Sequence, residues 1–404
     1  MRKFAMILLS LCGSGIAALQ EIPPPSTALR YLGRTLKTDS TAYRWDWSGS
    51  GVAMSFQGTA CWVHLFSPGA VYRVVVDGVD RGPLDLRSGV DTLHAVATGL
   101  AQGPHEVVLS SRTEPLVSSA TFFGFRIDGT PLAAGSGRTR KLEFYGNSIT
   151  CGYGILDSIA SNPFAAITED EGKTFAAQAA DSLAADRHTV CWSGKGVILN
   201  NGKDTLTPTL PKLHDRVLGT DSLHKWNFSS WTPDAVVIDL GTNDYSAVAP
   251  DSAWFEAVYA ALVDSLHHRY PAARFVLVDG PMLSDGWPTG IKTLTQVRRH
   301  LDNIVARVAL AGANATHLSL TPSNPSRGYG ADTHPNLAQA TLNGQELAAH
   351  LRKVLGWTTT SLLSRTPTAP RRGALVSGES GWDVRIPLGA SGRSVDPAGR
   401  ELQP

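Results

Sequence analysis

The stretch KLEFYGNSIT, residues 141–150, decides the fold. Residues 141–145 read as a strand that runs straight into Gly146, where the chain can turn tightly because no side chain stands in the way. Ser148 then lands on the strand-to-helix corner, where its hydroxyl is free to face a ligand and its N–H has no intrahelical acceptor. Downstream, the pattern predicts helices at 173–185, 252–270, 289–311 and 337–355. Between them it predicts strands at 189–192, 235–240, 274–278 and 316–320. Strands alternating with helices imply an α/β domain, a parallel sheet with helices on both faces, and such sheets bind ligands at the carboxyl ends of their strands.

Upstream the rhythm differs. Segments at 52–56, 60–65, 72–76, 105–109 and 122–127 are short and β-branched or alternating, and Gly51, Gly58, Gly69, Gly78 and Gly103 punctuate them. Short strands separated by turn signals predict an all-β sandwich of the jelly-roll type, with Asp77-Gly78 bending a hairpin. The organisation that follows is a sandwich over 25–130, a Gly-, Ala- and Arg-rich linker, the α/β domain over 140–357 and a Ser/Thr/Pro-rich linker and tail over 358–404. Within the tail, residues 382–386 read as one strand.

Of 404 residues, 42% are hydrophobic and 18% charged, a balance that supports sizeable cores. Lys and Arg number 36 against 35 Asp and Glu, with no basic face, which excludes nucleic acid as an expected partner. Arg2 and Lys3, an apolar run over 4–11 and small Ala17 and Ala18 occur in the order of an export signal covering 1–18, so a secreted or cell-surface protein is expected. No other run is long enough for a membrane span. Loss of Cys12 with the signal leaves Cys61, Cys151 and Cys191, which allows one disulfide but no framework.

The chemistry sits at four strand ends. A lone serine after a strand is more often a helix cap than a nucleophile, because its hydroxyl needs a base before it can attack. The other corners supply what is missing. The second strand ends in WSGKG, where Gly194 or Gly196 offers an unobstructed N–H. The third ends in GTND, where Asn243 carries a side-chain amide. The last connection carries DTHPN, with His334 as candidate base and Asp332 two residues before it as candidate partner for Nδ1. Donors aimed at a tetrahedral intermediate, a serine and a histidine make an acyl-transfer site. No His, Asp or Cys cluster has ligand spacing, so neither metal nor other cofactor is expected.

In order along the chain, Gly146-Asn147-Ser148-Ile149-Thr150, Gly194, Gly241-x-Asn243-Asp244 and Asp332-x-His334-Pro335 resemble the four blocks of the SGNH (GDSL-type) hydrolases. The longer strings EFYGNSITCGYG, WSGKGV, GTNDYS and DTHPN resemble carbohydrate esterase family 2. The resemblance runs from Gly33 to Trp357 and implies a jelly roll joined to an SGNH domain. It further implies a secreted enzyme that removes O-acetyl groups from plant cell-wall polysaccharides such as xylan and glucomannan, often at 6-O positions. Carried over, Ser148 is the nucleophile and His334 the base, with Asp332 completing a triad. The Ser148 N–H, Gly194 and Asn243 form the oxyanion hole. Asn147 departs from the more usual Asp of the first block, and some members orient the histidine without an acid.

Trp287 and Tyr245 are the expected sugar contacts, since aromatic faces fit the apolar faces of pyranoses; Tyr153 and Trp192 also lie close to the site in sequence. The expected partner is an acetylated polysaccharide or oligosaccharide, and the expected state a monomer. Two other readings stand beside the esterase: a glycan-binding protein with a vestigial hydrolase domain, and a lipase or thioesterase on the same scaffold. A histidine base predicts that activity falls with acid somewhere around pH 6–7.

Overall fold

The computed structural model describes residues 19–358. The export segment expected over 1–18 and the strand expected at 382–386 lie outside the described residues. Ten antiparallel strands form the first sheet: β1 (Gln20–Ile22), β2 (Leu29–Leu32), β3 (Leu36–Lys37), β4 (Tyr43–Trp45), β5 (Gly51–Phe66), β6 (Val71–Val76), β7 (Val79–Asp85), β8 (Leu93–Ala97), β9 (Gly103–Ser111) and β10 (Ala120–Leu132). The two long strands hold it together. β5 pairs with β2 over Gly51–Met54 and with β10 over Ser55–Phe66, and with β9 over Gly51–Gly58 and β8 over Cys61–His64, so it changes partners partway along. Trp45, Phe56, Val63, Phe122, Phe125 and Ile127 fill the interior.

The sequence pattern divides β5 into two strands at Gly58, but the structure runs straight through. A Cβ on Gly58 would stand 2.0 Å from the Asp128 carbonyl oxygen, where the β5–β10 register shifts. Gly58 therefore marks a close approach of two backbones at a bulge and not a turn. The hairpin at Asp77-Gly78 forms as expected. Val76 pairs with Val79, and both turn residues have positive φ, 53° and 78°, as the tight two-residue hairpin requires.

The second sheet is parallel and five-stranded: β11 (Arg140–Gly146), β12 (Ala185–Cys191), β13 (Ala235–Asp239), β14 (Arg274–Val278) and β15 (Ala315–Leu318), in spatial order β12-β11-β13-β14-β15. Its helices are α1 (Ser148–Cys151), α2 (Phe175–Ser182), α3 (Ser252–Arg269), α4 (Thr293–Leu310) and α5 (Leu337–Leu355). Alternation along β11 sends Leu142 and Phe144 to the α2–α5 face and Tyr145 to the α3–α4 face. The α4 helix starts later than its pattern suggests, because Pro288, Gly290 at φ 83° and Lys292 at φ 55° keep the preceding loop out of helical geometry. Since β11 lies between β12 and β13, the chain leaves it in opposite directions, and this reversal opens a crevice at the carboxyl ends.

Both sheets belong to one compact unit. Side chains interlock where the sheets meet. Arg34, 1% exposed, leaves the sandwich and donates to Glu143 on β11 at 2.9 Å, to the Tyr145 hydroxyl at 2.7 Å and to the His214 and Arg216 carbonyls at 2.6 and 2.9 Å. Asp46 accepts from the Gly219 and Thr220 N–H groups at 2.8 and 3.0 Å. Arg112 donates to the Glu169 and Ile167 carbonyls. Trp47, fully buried, joins the core of the α/β layers.

Removing one member of a buried ion pair leaves the other desolvated without compensation. Arg34→Ala is expected to lower stability by about 3–5 kcal/mol, read from urea unfolding at neutral pH. A loss below about 1 kcal/mol would mean that water reaches Glu143 and the pair does not join the layers.

Candidate active site

Ser148 opens α1 directly after β11. Asn147 caps that helix, accepting from the Ile149 N–H at 3.0 Å and donating to the Asp239 carbonyl at 3.3 Å. Gly146 is required beneath it, since a Cβ there would stand 2.0 Å from Thr150 Oγ1. The amide of Asn147 thus does the capping and turn-bracing of the first block, so nothing in this corner calls for a carboxylate. The Ser148 side chain is 7% exposed and lies at the floor of a cleft of about 590 Å³.

His334 Nε2 stands 2.8 Å from Ser148 Oγ. Its Nδ1 faces the Ala331 carbonyl at 3.2 Å, so Nδ1 carries the proton and Nε2 is the acceptor for the serine hydroxyl. The hydrogen bond expected from Nδ1–H to the Asp332 carboxylate is not made. Asp332 and Thr333 both sit in the left-handed region, at φ 52° and 61°, which carries the Asp332 carboxylate past the ring. It accepts from the Tyr153 hydroxyl at 2.8 Å instead, and the Tyr153 ring stacks on the imidazole with centroids 4.1 Å apart. A backbone carbonyl and an aromatic face orient the histidine, while Asp332 anchors the aromatic. Tyr153 follows α1, and the Ala331 N–H donates to the Gly154 carbonyl at 3.1 Å, so the histidine loop docks on the serine turn.

The donors converge from two further strand ends. Gly194, at φ 78°, lines the cleft after β12. Asn243 follows β13; one amide hydrogen goes to the Lys195 carbonyl at 2.9 Å, which leaves the other for a ligand. Asp244, given no role by the sequence pattern, braces this loop by accepting from the Val197, Ile198 and Leu199 N–H groups at 2.8–3.0 Å. The one available disulfide joins Cys151 at the end of α1 to Cys191 at the end of β12, so a covalent bond links the serine helix to the Gly194 strand; Cys61 is free and buried.

Trp287 is 69% exposed on the cleft rim. Tyr245 differs from expectation. It is 1% exposed, and its ring packs on Phe255 and His300, which leaves it shaping the cleft from within the core. Trp192 packs edge-on against Trp47. Leu116, a sandwich residue with no sequence signal, is 58% exposed and lines the same cleft.

Residues 31–135 match the family model described as carbohydrate esterase 2 N-terminal, and residues 144–342 that of the GDSL-like lipase/acylhydrolase family. A cellulase/esterase, CelE, of Acetivibrio thermocellus is 33% identical over 330 residues, which is 81% of this chain and 39% of that protein. The chain thus spans well under half the length of that relative. An acetylxylan esterase/glucomannan deacetylase of Cellvibrio japonicus is 28% identical over 63% of this chain and 68% of its own. Among solved structures, a family two carbohydrate esterase from Clostridium thermocellum in complex with cellohexaose superposes with a TM-score of 0.77. It shares 32% identity and covers 82% of this chain and 100% of its own.

Two outcomes test this geometry. Burial pushes the His334 pKa down to about 4, outweighing the opposing pull of the Ala331 carbonyl and the Asp332 charge. A base works in its neutral form, and a lowered pKa keeps it neutral further into acid. The limb on which activity disappears should therefore lie near pH 4, a lower limit than an ordinary histidine gives. A kcat/KM profile that falls ten-fold per pH unit from about pH 6.5 downward would contradict this. Asp332→Asn should cost less than about ten-fold in kcat, where loss of a true triad carboxylate costs on the order of 10⁴-fold.

Proposed function

Because the chain belongs to carbohydrate esterase family 2, a family of carboxylic ester hydrolases, we propose that it removes acetyl groups from plant cell-wall polysaccharides such as xylan and glucomannan. The observation that carries this reading is the 2.8 Å contact between Ser148 and His334 at the floor of a cleft with Trp287 on its rim. Ser148 Oγ attacks the acetyl carbonyl as His334 Nε2 takes its proton. The Ser148 and Gly194 N–H groups and the free amide hydrogen of Asn243 receive the oxyanion. The intermediate collapses, the sugar oxygen leaves with the proton from His334, and an acetyl-serine remains. Water deprotonated by the same imidazole attacks it, the imidazolium returns that proton to Ser148 Oγ, and acetic acid departs as acetate after losing its proton to solvent.

Substrate choice follows from shape. Trp287 and Leu116 give the rim two apolar surfaces suited to pyranose faces, while the reacting hydroxyl lies below them. An acetyl on the exocyclic 6-O reaches that depth more readily than one on a ring hydroxyl, because the extra carbon extends it from the ring. The order of charged, apolar and small residues over 1–18 and the Cys151–Cys191 bond support action outside the cytoplasm. Among the described residues no helix is long and apolar enough to cross a membrane.

Acetate release from 4-nitrophenyl acetate, acetylated xylan and acetylated glucomannan tests the reading. Ser148→Ala and His334→Ala should each lower kcat by at least about 10³-fold. Asn243→Ala should lower it by about 10²–10³-fold with little change in KM. Rates should fall steeply from acetyl to butyryl esters. Full turnover by Ser148→Ala, or equal rates on long acyl chains, would sink the assignment.

A further inference from the structure

One pair of buried carboxyl groups has no part in the chemistry above. Glu114 lies in the loop that joins β9 to β10 of the sandwich, and Glu169 in the segment between α1 and α2; neither is exposed. The Glu114 carboxylate accepts from the Ser193 N–H at 2.6 Å and from the Ser193 hydroxyl. Ser193 immediately precedes Gly194. Carboxyl oxygens of Glu114 and Glu169 and the Cys151 sulfur lie within 4.8 Å of one another, and neither Glu169 oxygen has a hydrogen-bond partner. The disulfide occupies that sulfur, so the group is not a thiolate metal site.

Two carboxylates this close and this dry do not both ionise. Burial, reinforced by the Glu114 charge, raises Glu169 well above its ordinary range, and burial pushes Glu114 up to about 7. The charged groups facing the pair do not alter the order. The Arg112 side chain donates to the Glu169 carbonyl and pairs with Asp170 at 3.3 Å, and Arg73 holds Asp170 at 2.8 Å. Tyr153 stands on the cleft side. Glu169 therefore keeps its proton and Glu114 is the ionised acceptor, which suits a group taking two donors from one residue.

We propose that Glu114 is a positioning residue of the oxyanion hole, a carboxylate supplied by the sandwich that fixes Ser193 and so aims the Gly194 N–H toward the reacting carbonyl. Its neighbours on the chain point the same way. Cys191 is bonded to α1, and Trp192 packs against sandwich Trp47, so three successive residues before Gly194 are held by three separate contacts. As Glu114 gains a proton it no longer offers two acceptor oxygens, and the hold on Ser193 slackens.

This rests on Ser148 being the nucleophile. Glu114→Gln should lower kcat for 4-nitrophenyl acetate by roughly ten-fold while KM changes less than about two-fold. Affinity for a small alkylboronic acid, which forms a tetrahedral adduct on a serine, should fall by the same factor. Wild-type kcat should show a two- to three-fold shoulder near pH 7, separate from the acid limb, and Glu114→Gln should lack it. A folded Glu114→Gln with unchanged kcat and boronate affinity would overturn the proposal. If that variant does not fold, Ser193→Ala, which removes one donor to Glu114, should lower kcat by roughly two- to five-fold, and unchanged kcat there would overturn it equally. Should Ser148→Ala be inactive while Glu114→Gln and Ser193→Ala keep full kcat, this inference fails alone; an active Ser148→Ala removes the reading beneath it.

Discussion

A guanidinium with almost no access to water holds the two sheets at fixed distance. Arg34 is desolvated against Glu143, a tyrosine hydroxyl and two carbonyls, and an arrangement of that kind is favourable only when every partner is in place. Its rigid fork tolerates little shift between the layers. From that anchor the rest follows. Asp46 and Arg112 bind loops of the α/β layers, Trp47 enters their core, and Glu114 arrives beside the strand end that carries Gly194. The sandwich is thus part of the wall of the cleft as well as its neighbour.

In the proposed acyl-transfer site the histidine is oriented without a carboxylate on Nδ1. A neutral carbonyl fixes the tautomer, and a stacked tyrosine fixes the ring plane. Neither stabilises an imidazolium as a carboxylate would. The matching feature is an imidazole that stays neutral far into acid because it is shielded from water. Asp332 remains near enough to pull the pKa back upward and contributes through its field and its bond to Tyr153.

Periodicity made most of this architecture legible. The β/α alternation after residue 140 announced a parallel sheet, and four motifs at four strand ends announced the cleft, because in such a sheet neighbouring strand ends must be neighbours in space. What stayed hidden depends on contacts between residues far apart in the chain. Gly58 looks like a turn until β10 is seen pressing on it. Asp332 looks like the third triad member until its left-handed backbone is known. Tyr245 looks like a sugar contact until the helices of the α3–α4 face bury it. Nothing near Glu114 in sequence signals its role, since its partner is 79 residues away in the other sheet's loop.

That interlocking bears on inheritance. A β-sandwich followed by an α/β layer invites the picture of two cassettes that genomes recombine freely. Here the joint is a set of buried charges and aromatic rings, each complementary to a particular residue across it. Exchanging either half for an unrelated one would strand an arginine or a glutamate in a dry seam. Recombination should therefore conserve the pair and cut outside it. The match to CelE runs over 330 residues, 81% of this chain, and so takes in residues of both halves.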